Sequence, residues 1–229
     1  MDHRCENCIV RKFNALRAMS KEELKAVSDS KVMKKVKKGQ QIFDEGEKLN
    51  GVYCVRGGVS KLSKLSPNGK DQIVKLASKG EVLGERSVIA EESSNLSATA
   101  VSDMEVCFIP KEAIVSTLHK NPDFTYEVLR HMAHDLREAD DVIVNMSQKS
   151  VKQRIAEALL YMRNNFGEDS DGYLALVLSR EDIANVVGTA TESCIRILSE
   201  FRKKDLIKTS GKRMAILEAR KLQDLVDGF

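Results

Sequence analysis

The chain has 229 residues, of which 42% are hydrophobic and 5% aromatic, and its 37 basic and 34 acidic residues give a formal net charge of +3. At roughly 150 residues per domain this length predicts one or two domains, and the balanced charge excludes a disordered polyelectrolyte. The longest apolar run is six residues, Tyr173 to Leu178, and no apolar stretch follows the N-terminus, which predicts a soluble cytoplasmic protein without a membrane span or secretory signal.

Residues 1–122 are predicted to form a first domain that consists of a helical leader and a β-roll. Ser20 is followed three residues later by Glu, the order of a capping box, and Leu24 and Val27 would form the inner face of that helix. Short alternating stretches such as Val59 to Leu65 are separated by glycine-rich turns about every dozen residues. This pattern predicts a small antiparallel roll or barrel.

A single long helix is predicted next, over residues 123–150. Its apolar residues recur at alternating spacings of three and four, which is the heptad pattern of a coiled coil. The other faces are charged, and so narrow an apolar stripe favours pairing with a second copy of the helix. The alternative is a helix that lies on its own domain. The predicted dimer interface consists of Leu129, Met132, Leu136, Ala139, Ile143 and Met146.

Residues 151–229 are predicted to form a helical domain that ends in a small hairpin. The apolar run Tyr173 to Leu178 is predicted to be a short strand. Ser179 then starts a helix with an acidic residue three positions later, and Gly188 supplies the turn that ends it. A second helix is predicted to start at Thr189, again with Glu three residues later, so that the pair fits a helix-turn-helix.

The charge around the second helix predicts DNA binding. Between Arg196 and Arg213 there are seven basic and two acidic residues, a local excess of +5 in a chain whose total is +3. A hairpin that turns at Ser210-Gly211 would add a wing, and its basic residues suit phosphate contacts. The residues predicted to contact DNA are Ser179, Arg180, Thr191, Glu192, Ile195, Arg196, Lys203, Lys212 and Arg213.

Four stretches carry a family resemblance: Lys38 to Phe43 with Gly46-Glu47, Val55 to Val59, Gly80 to Glu85, and Leu178 to Leu198. Over nearly its whole length the chain resembles the Crp/Fnr superfamily, bacterial transcription regulators of the cyclic-AMP receptor protein and fumarate-and-nitrate-reduction regulator type. The resemblance implies an α+β fold with a cyclic-nucleotide-binding-like β-roll, a dimerisation helix and a C-terminal winged helix-turn-helix. It also implies a homodimer that reads an inverted repeat in double-stranded DNA and contacts RNA polymerase.

Two residues of the second helix are predicted to read bases. Glu192 and Arg196 are four apart and share one helix face, where a carboxylate can accept from cytosine and a guanidinium can grip guanine. In the family this pair is associated with a TGA-type half-site, although Thr191 and Ile195 depart from the residues of the two best-known branches. The alternative is that Glu192 only caps the helix while Arg196 touches phosphate.

The resemblance places an effector pocket in the roll, where cyclic-AMP-binding members hold the phosphate with an Arg-Ser pair. In this chain the Arg of that pair is replaced by Leu, and Ala139-Asp140 stand where other members read adenine. Because a cyclic phosphate needs a charged partner to offset its desolvation, cyclic AMP is not the predicted effector, and another small ligand is left open. The pocket residues are Gly84, Glu85, Arg86, Leu96 and Ser97.

The five cysteines include one pair at ligand spacing, Cys5 and Cys8, and an odd number without a secretion signal argues against disulfides. This pair resembles part of the N-terminal cluster of the oxygen-sensing branch, and Cys107 falls where the distant ligand belongs. The remaining cysteine of that pattern would fall near Asn14. Three thiolates, with His3 or an external ligand as the fourth, can hold an iron–sulfur cluster. A zinc or thiol-redox site and inert cysteines are the alternatives.

The sequence leaves two rival functions to weigh against DNA binding. The first is a ligand-binding regulatory module whose C-terminal domain contacts protein instead of DNA. The second is an enzyme, but the sequence contains neither an evident nucleophile–base pair nor a glycine-rich phosphate loop. We therefore predict a DNA-binding regulator that is not an enzyme and that responds to an effector or redox signal in the roll.

Overall fold

The computed structural model describes residues 4–67 and 69–228 and has the predicted α+β composition. The chain divides into two compact units, Met1–Lys64 with Val74–Glu138 and Leu65–Ile73 with Ala139–Phe229. The division falls inside the long helix rather than at residue 122 or 150. The helix Pro122–Gln148 is continuous across this division, so neither of its ends is a boundary between the two units.

The first unit begins with short 3-10 turns, which occupy Cys5–Asn7, Ile9–Phe13 and Ala15–Ala18. Four helices and eight strands follow, and the last helix continues into the second unit. They are α1 (Lys21–Ser30), β1 (Val32–Val36), β2 (Gln41–Phe43), β3 (Gly51–Gly57), β4 (Ser60–Leu65), β5 (Asp71–Ala77), β6 (Val82–Leu83), α2 (Glu85–Ala90), β7 (Ser97–Ala100), β8 (Met104–Pro110), α3 (Lys111–Lys120) and α4 (Pro122–Gln148).

Helix α1 confirms the helix predicted for the leader. The Ser20 hydroxyl accepts the Glu23 N–H (3.2 Å), and the Glu23 carboxylate accepts the Ser20 N–H (2.7 Å), which is the reciprocal capping box. Leu24 and Val27 are buried as predicted. The helix thus closes over one side of the roll, and its apolar face becomes part of the core of the first unit.

The β-roll consists of two four-stranded sheets, ordered β1-β8-β3-β6 and β2-β7-β4-β5. The pairs β1–β8, β3–β8, β3–β6, β2–β7 and β4–β7 are all antiparallel, which confirms the predicted roll. At the turn between β3 and β4, Gly58 has a φ of +83°, and a Cβ there would collide with the backbone oxygen of Asp103. Only glycine fits this turn without strain.

Helix α4 begins at Pro122, where the missing N–H costs no hydrogen bond. Phe124 and Val128 anchor its first turns in the core of the first unit. Three residues of the predicted dimer interface, Leu129, Leu136 and Ile143, remain 61–66% exposed, whereas Met132 and Met146 are half-buried and Ala139 is exposed. Across the described residues, no helix is long and apolar enough to cross a membrane.

The second unit contains four further helices and a two-stranded antiparallel ribbon. Its core is formed by apolar residues from every one of these helices and from both strands. The elements are α5 (Val151–Phe166), α6 (Arg180–Val187), α7 (Thr191–Lys203), β9 (Ile207–Ser210), β10 (Arg213–Ile216) and α8 (Ala219–Asp227).

The strand predicted over Tyr173 to Leu178 is wrong. Only Leu174 makes a bridge, to Glu168, and its N–H donates to the Met214 carbonyl (2.8 Å). Four side chains of the run are nevertheless buried in the core: Tyr173, Leu174, Leu176 and Leu178. A short apolar run indicates burial, but burial of an irregular segment produces the same pattern as burial of a strand.

Candidate nucleic-acid interface

The predicted helix-turn-helix is formed by α6 and α7. Ser179 caps α6 through a capping box with Asp182, and Gly188 ends the helix with a φ of +64°, a conformation that favours glycine. The Ser179 hydroxyl also donates to the Asp182 carboxylate (2.7 Å). Its one O–H donor is thus used in the cap of α6, and the DNA contact of Ser179 stays a prediction.

The start of α7 differs from the prediction. The helix begins at Thr191, and the residue before it, Ala190, makes no side-chain capping bond. Thr189 therefore does not cap the helix, because the chain turns through Thr189 and Ala190 before the first helical residue. A cap formed between Thr189 and Glu192, the alternative to base readout, is absent from the described hydrogen bonds.

The outer face of α7 presents Glu192, Ile195 and Arg196 to solvent. Neither the Glu192 nor the Arg196 side chain makes a hydrogen bond or ion pair within the part of the chain that the structure describes. The opposite face of the helix, which is buried in the core of the unit, consists of Cys194, Ile197, Leu198 and Phe201. The core thus fixes the helix, and its polar face is free to enter a groove.

The wing is the β9–β10 ribbon, and Arg180 positions it. The Arg180 guanidinium donates to the backbone oxygens of Gly211 (3.2 Å) and Lys212 (3.3 Å) at the tip of the wing. These bonds tie the start of α6 to the turn between β9 and β10. The Arg180 guanidinium therefore holds the wing in place, whereas the Lys212 side chain is exposed.

Arg213, another residue predicted to contact DNA, lies on β10 and pairs with two acidic side chains. Its guanidinium donates to the carboxylates of Asp169 (2.7 Å) and Asp171 (2.9 Å) and lies 4.2 Å from the ring centre of Tyr173. Those hydrogen bonds raise the pKa of Arg213. Its charge is therefore already matched by two carboxylates, and the DNA contact of Arg213 stays a prediction. No local pattern predicts this pairing, because the two acids lie more than forty residues away in the sequence.

Other basic side chains remain available on this side of the unit. Lys203 and Arg202 at the end of α7 are exposed, as is Lys212 at the wing. Lys204 differs, because it pairs with Glu200 (3.2 Å). Exposed basic groups thus lie at the C-terminal end of α7 and at the wing, and such charges suit phosphate contacts.

The predicted effector residues flank helix α2. Gly84 precedes the helix with a φ of +82°, and Glu85 is its first residue. Arg86 donates to the Asn95 side chain (2.5 Å), which ties α2 to the segment that leads into Leu96. The Ser97 hydroxyl accepts the Glu45 N–H (2.9 Å). Arg86, the one cationic residue of the predicted pocket, is therefore bound to the Asn95 amide oxygen. Asn95 directly precedes Leu96, which stands where the family has arginine.

Glu85 is half-buried beside three charged groups. Burial, reinforced by the Asp135 carboxylate, raises the pKa of Glu85 to about 7, although the Lys75 ammonium opposes this rise and Glu81 adds to it. The folded protein therefore holds a proton on Glu85 that the unfolded chain, with a Glu pKa of about 4.3, has lost at neutral pH. This contribution to stability is present at acid pH and is lost as the pH rises through about 7.

We expect the Glu85→Gln variant to lack this loss. Between about pH 5 and pH 8 the wild type should lose roughly 1–3 kcal/mol of unfolding free energy relative to the variant. Urea unfolding at several pH values would measure the difference, with Glu92→Gln, an exposed carboxylate of the next loop, as the control. Parallel stability profiles for wild type and Glu85→Gln would contradict the assignment.

The three predicted metal ligands lie in the first unit. Cys5 and Cys107 are buried and Cys8 is half-buried, whereas His3 lies outside the described residues. Sequence reasoning missed a fourth cysteine, Cys54, which is directly opposite Cys107 in the β3–β8 pair. Only the register of two strands, distant in sequence, reveals this neighbour.

Comparison with known proteins bears on both units. A model of the cyclic nucleotide-binding domain matches residues 33–121, and a model of the Crp-like helix-turn-helix domain matches residues 153–225.

The chain is 30% identical to the anaerobic regulatory protein of Bacillus subtilis over 190 residues, which cover 82% of this chain and 80% of the relative. It is 29% identical to the transcriptional activator protein Anr of Pseudomonas protegens over 227 residues, which cover 98% and 93%. Among solved structures, FixK2 of Bradyrhizobium japonicum is similar with a TM-score of 0.75 and 26% identity, covering 85% of this chain and 96% of FixK2.

Proposed function

The chain belongs to the Crp/Fnr superfamily of bacterial transcription regulators, and from this membership we propose that it acts as a homodimer that reads an inverted repeat in double-stranded DNA. It is a DNA-binding transcription regulator with a winged helix-turn-helix.

The observation that carries the proposal is the exposed face of α7. Glu192 and Arg196 stand four residues apart without partners in the described part of the chain, on a helix whose other face is fixed in the core. Unpaired charges on a rigid helix suit the base edges of a major groove. Lys203 and Lys212 supply positive charge for phosphates on either side.

The exposed stripe of α4 supports the homodimer. Leu129, Leu136 and Ile143 lie seven residues apart, and each leaves more than half of its side chain exposed in the single chain. Two such helices bury this stripe when they pair as a coiled coil. A two-fold dimer presents two recognition helices, so its DNA site is an inverted repeat. Such a regulator acts in the cytoplasm and has RNA polymerase as a further partner.

Selection from random DNA tests this function directly. We expect the purified protein to enrich an inverted repeat with a TGA-type half-site and to shift that duplex in a mobility assay, with weaker binding at higher salt. A duplex with one half-site scrambled is the control. If no duplex is enriched and the protein binds no DNA at low salt, the rival function, regulation through protein contacts, would replace the proposal.

We expect no response to cyclic AMP. Leu96 cannot supply the charge-assisted hydrogen bonds that a cyclic phosphate needs, and Arg86 is engaged with Asn95. Titration calorimetry with cyclic AMP should therefore give no binding heat at micromolar nucleotide. A Leu96→Arg variant, tested alongside, should recover weak anion binding, and saturable binding of cyclic AMP to the wild type would contradict the prediction.

A further inference from the structure

Two of the chain's cysteines are brought together by a tight turn near the N-terminus. Cys5 begins a 3-10 turn, and the Cys8 N–H donates to the Cys5 carbonyl (3.2 Å). Side chains three residues apart eclipse one another in such a turn. The thiols of Cys5 and Cys8 therefore lie on one side of the turn, the arrangement that a shared metal group requires.

Two more thiols face each other across the sheet. Cys54 on β3 and Cys107 on β8 are direct partners in an antiparallel pair. Directly opposed residues have Cβ atoms about 4.5–5.5 Å apart and point to the same face of the sheet. Both side chains are about 95% buried, so neither thiol is a surface group. The pairing joins two residues that are far apart in sequence.

Two side chains show that the turn and the strand pair belong to one region. The Lys31 ammonium lies 3.1 Å from the Cys5 sulfur, and its charge also acts on the Cys107 thiol. Buried Asn14, in the same leader as Cys5 and Cys8, donates to the Cys54 sulfur (3.5 Å) and to the Gly80 carbonyl (2.9 Å). The leader is therefore anchored directly against Cys54.

The electrostatics of Cys54 agree with this convergence. Burial raises the pKa of Cys54 to about 12, and the thiols of Cys107, Cys8 and Cys5 add to the rise. The three other thiols are thus close enough to interact with it. Binding to a metal replaces the proton of such a thiol, so protonation in the metal-free protein does not prevent ligation.

The spacing of the sulfurs distinguishes between two kinds of metal group. Four thiolates around one zinc ion at 2.3 Å would place the sulfurs about 4 Å apart. In the described part of the chain, no three cysteine sulfurs lie within 4.8 Å of one another. An iron–sulfur cluster binds each thiolate to a separate iron and therefore takes a wider set. Lys31 and Arg56, whose charges act on Cys107, suit the negative charge of such a cluster.

We infer that Cys5, Cys8, Cys54 and Cys107 together hold an iron–sulfur cluster, with Cys54 as the fourth ligand. The set supplies four thiolates, the number that such clusters normally take. Cys54 stands in for the cysteine that is missing at Asn14, because the Asn14 side chain reaches the Cys54 sulfur. The cluster would give the roll a redox-active group. This inference rests on the proposed function only where it names the signal that the roll senses.

The test is the iron and acid-labile sulfide content of protein purified without oxygen, together with its visible absorption. The wild type should carry about four irons and four sulfides per protomer. Cys54→Ala should lower both contents about twofold or more and make the absorption fade faster in air. Cys194→Ala, a buried thiol in the other unit, is the matched control and should keep the wild-type content. Circular dichroism of the metal-free variants shows whether they fold, and Cys54→Ser replaces any alanine variant that does not.

A rescue variant separates ligation from packing. Because Asn14 contacts the Cys54 sulfur, Asn14→Cys in the Cys54→Ala background should restore the iron and sulfide contents. If Cys54 served only in packing, the new thiol at position 14 would not restore them. Wild-type iron content in Cys54→Ala and in Cys54→Ser would overturn the inference. A wild-type protein that contains zinc, or no metal, after anaerobic reconstitution would overturn it as well. None of these measurements uses DNA, so this inference and the proposed function can fail separately.

Discussion

Replacing Leu136 and Ile143 by aspartate is expected to turn the dimer into a monomer and to weaken DNA binding by about two orders of magnitude or more. In a paired α4 seam, both positions become buried against the second copy, and each unpaired carboxylate there costs several kcal/mol. Every 1.4 kcal/mol is a tenfold change in an equilibrium constant, so two such charges suffice to abolish pairing at micromolar protein. Each monomer would then hold a single half-site.

Light scattering and a mobility shift on the selected inverted repeat measure both effects. Val144→Asp is the matched control, because Val144 is 56% exposed on α4 but lies outside the seven-residue stripe. It should leave the dimer and DNA binding close to wild type. A Leu136→Asp, Ile143→Asp double variant that remains fully dimeric would rule out this helix as the interface.

The second large effect is expected from Arg196→Ala. If the Arg196 guanidinium grips guanine, its removal should cost roughly 1–3 kcal/mol per half-site and relax the preference at one base pair. If it only touches phosphate, binding should weaken equally on all sequences, and the salt slope should fall by about one.

Binding-site selection with wild type and Arg196→Ala distinguishes these outcomes. Arg202→Ala is the control, since Arg202 is an exposed basic residue of the same helix that lies beyond its N-terminal half. That variant should weaken binding evenly and keep the selected sequence. The same sequence preference in Arg196→Ala as in the wild type would refute base readout by Arg196.

Much of the fold could be predicted because its signals are local. The capping box at Ser20 and the glycine turn at Gly188 each involve residues that are close in sequence, and the structure confirms both. The periodic pattern of α4 is likewise continuous in sequence, and the structure confirms the helix that it predicts. Propensity and periodicity act over the same short distance as the hydrogen bonds of a helix, so the sequence contains them directly.

Interactions between distant segments are what the sequence does not contain. It predicts a DNA contact for Arg213 because the charge is visible there, whereas the pairing of Arg213 with Asp169 is set by tertiary structure. The proximity of Cys54 to Cys107 is hidden for a related reason, since strand register rather than spacing brings the two residues together. At Thr189, a capping pattern was present, but the turn after Gly188 placed the helix start two residues later.

The burial of Cys194 makes its thiol a probe of the stability of the winged domain. This thiol lies inside α7 with no exposed surface, and burial raises its pKa to about 11. Alkylating reagents attack the thiolate, so they modify Cys194 only in molecules whose winged domain has opened. The rate of alkylation in native buffer therefore measures the free energy of that local opening, without denaturant and without a contribution from the roll. Bound operator DNA should slow the reaction in proportion to how firmly it holds the domain closed.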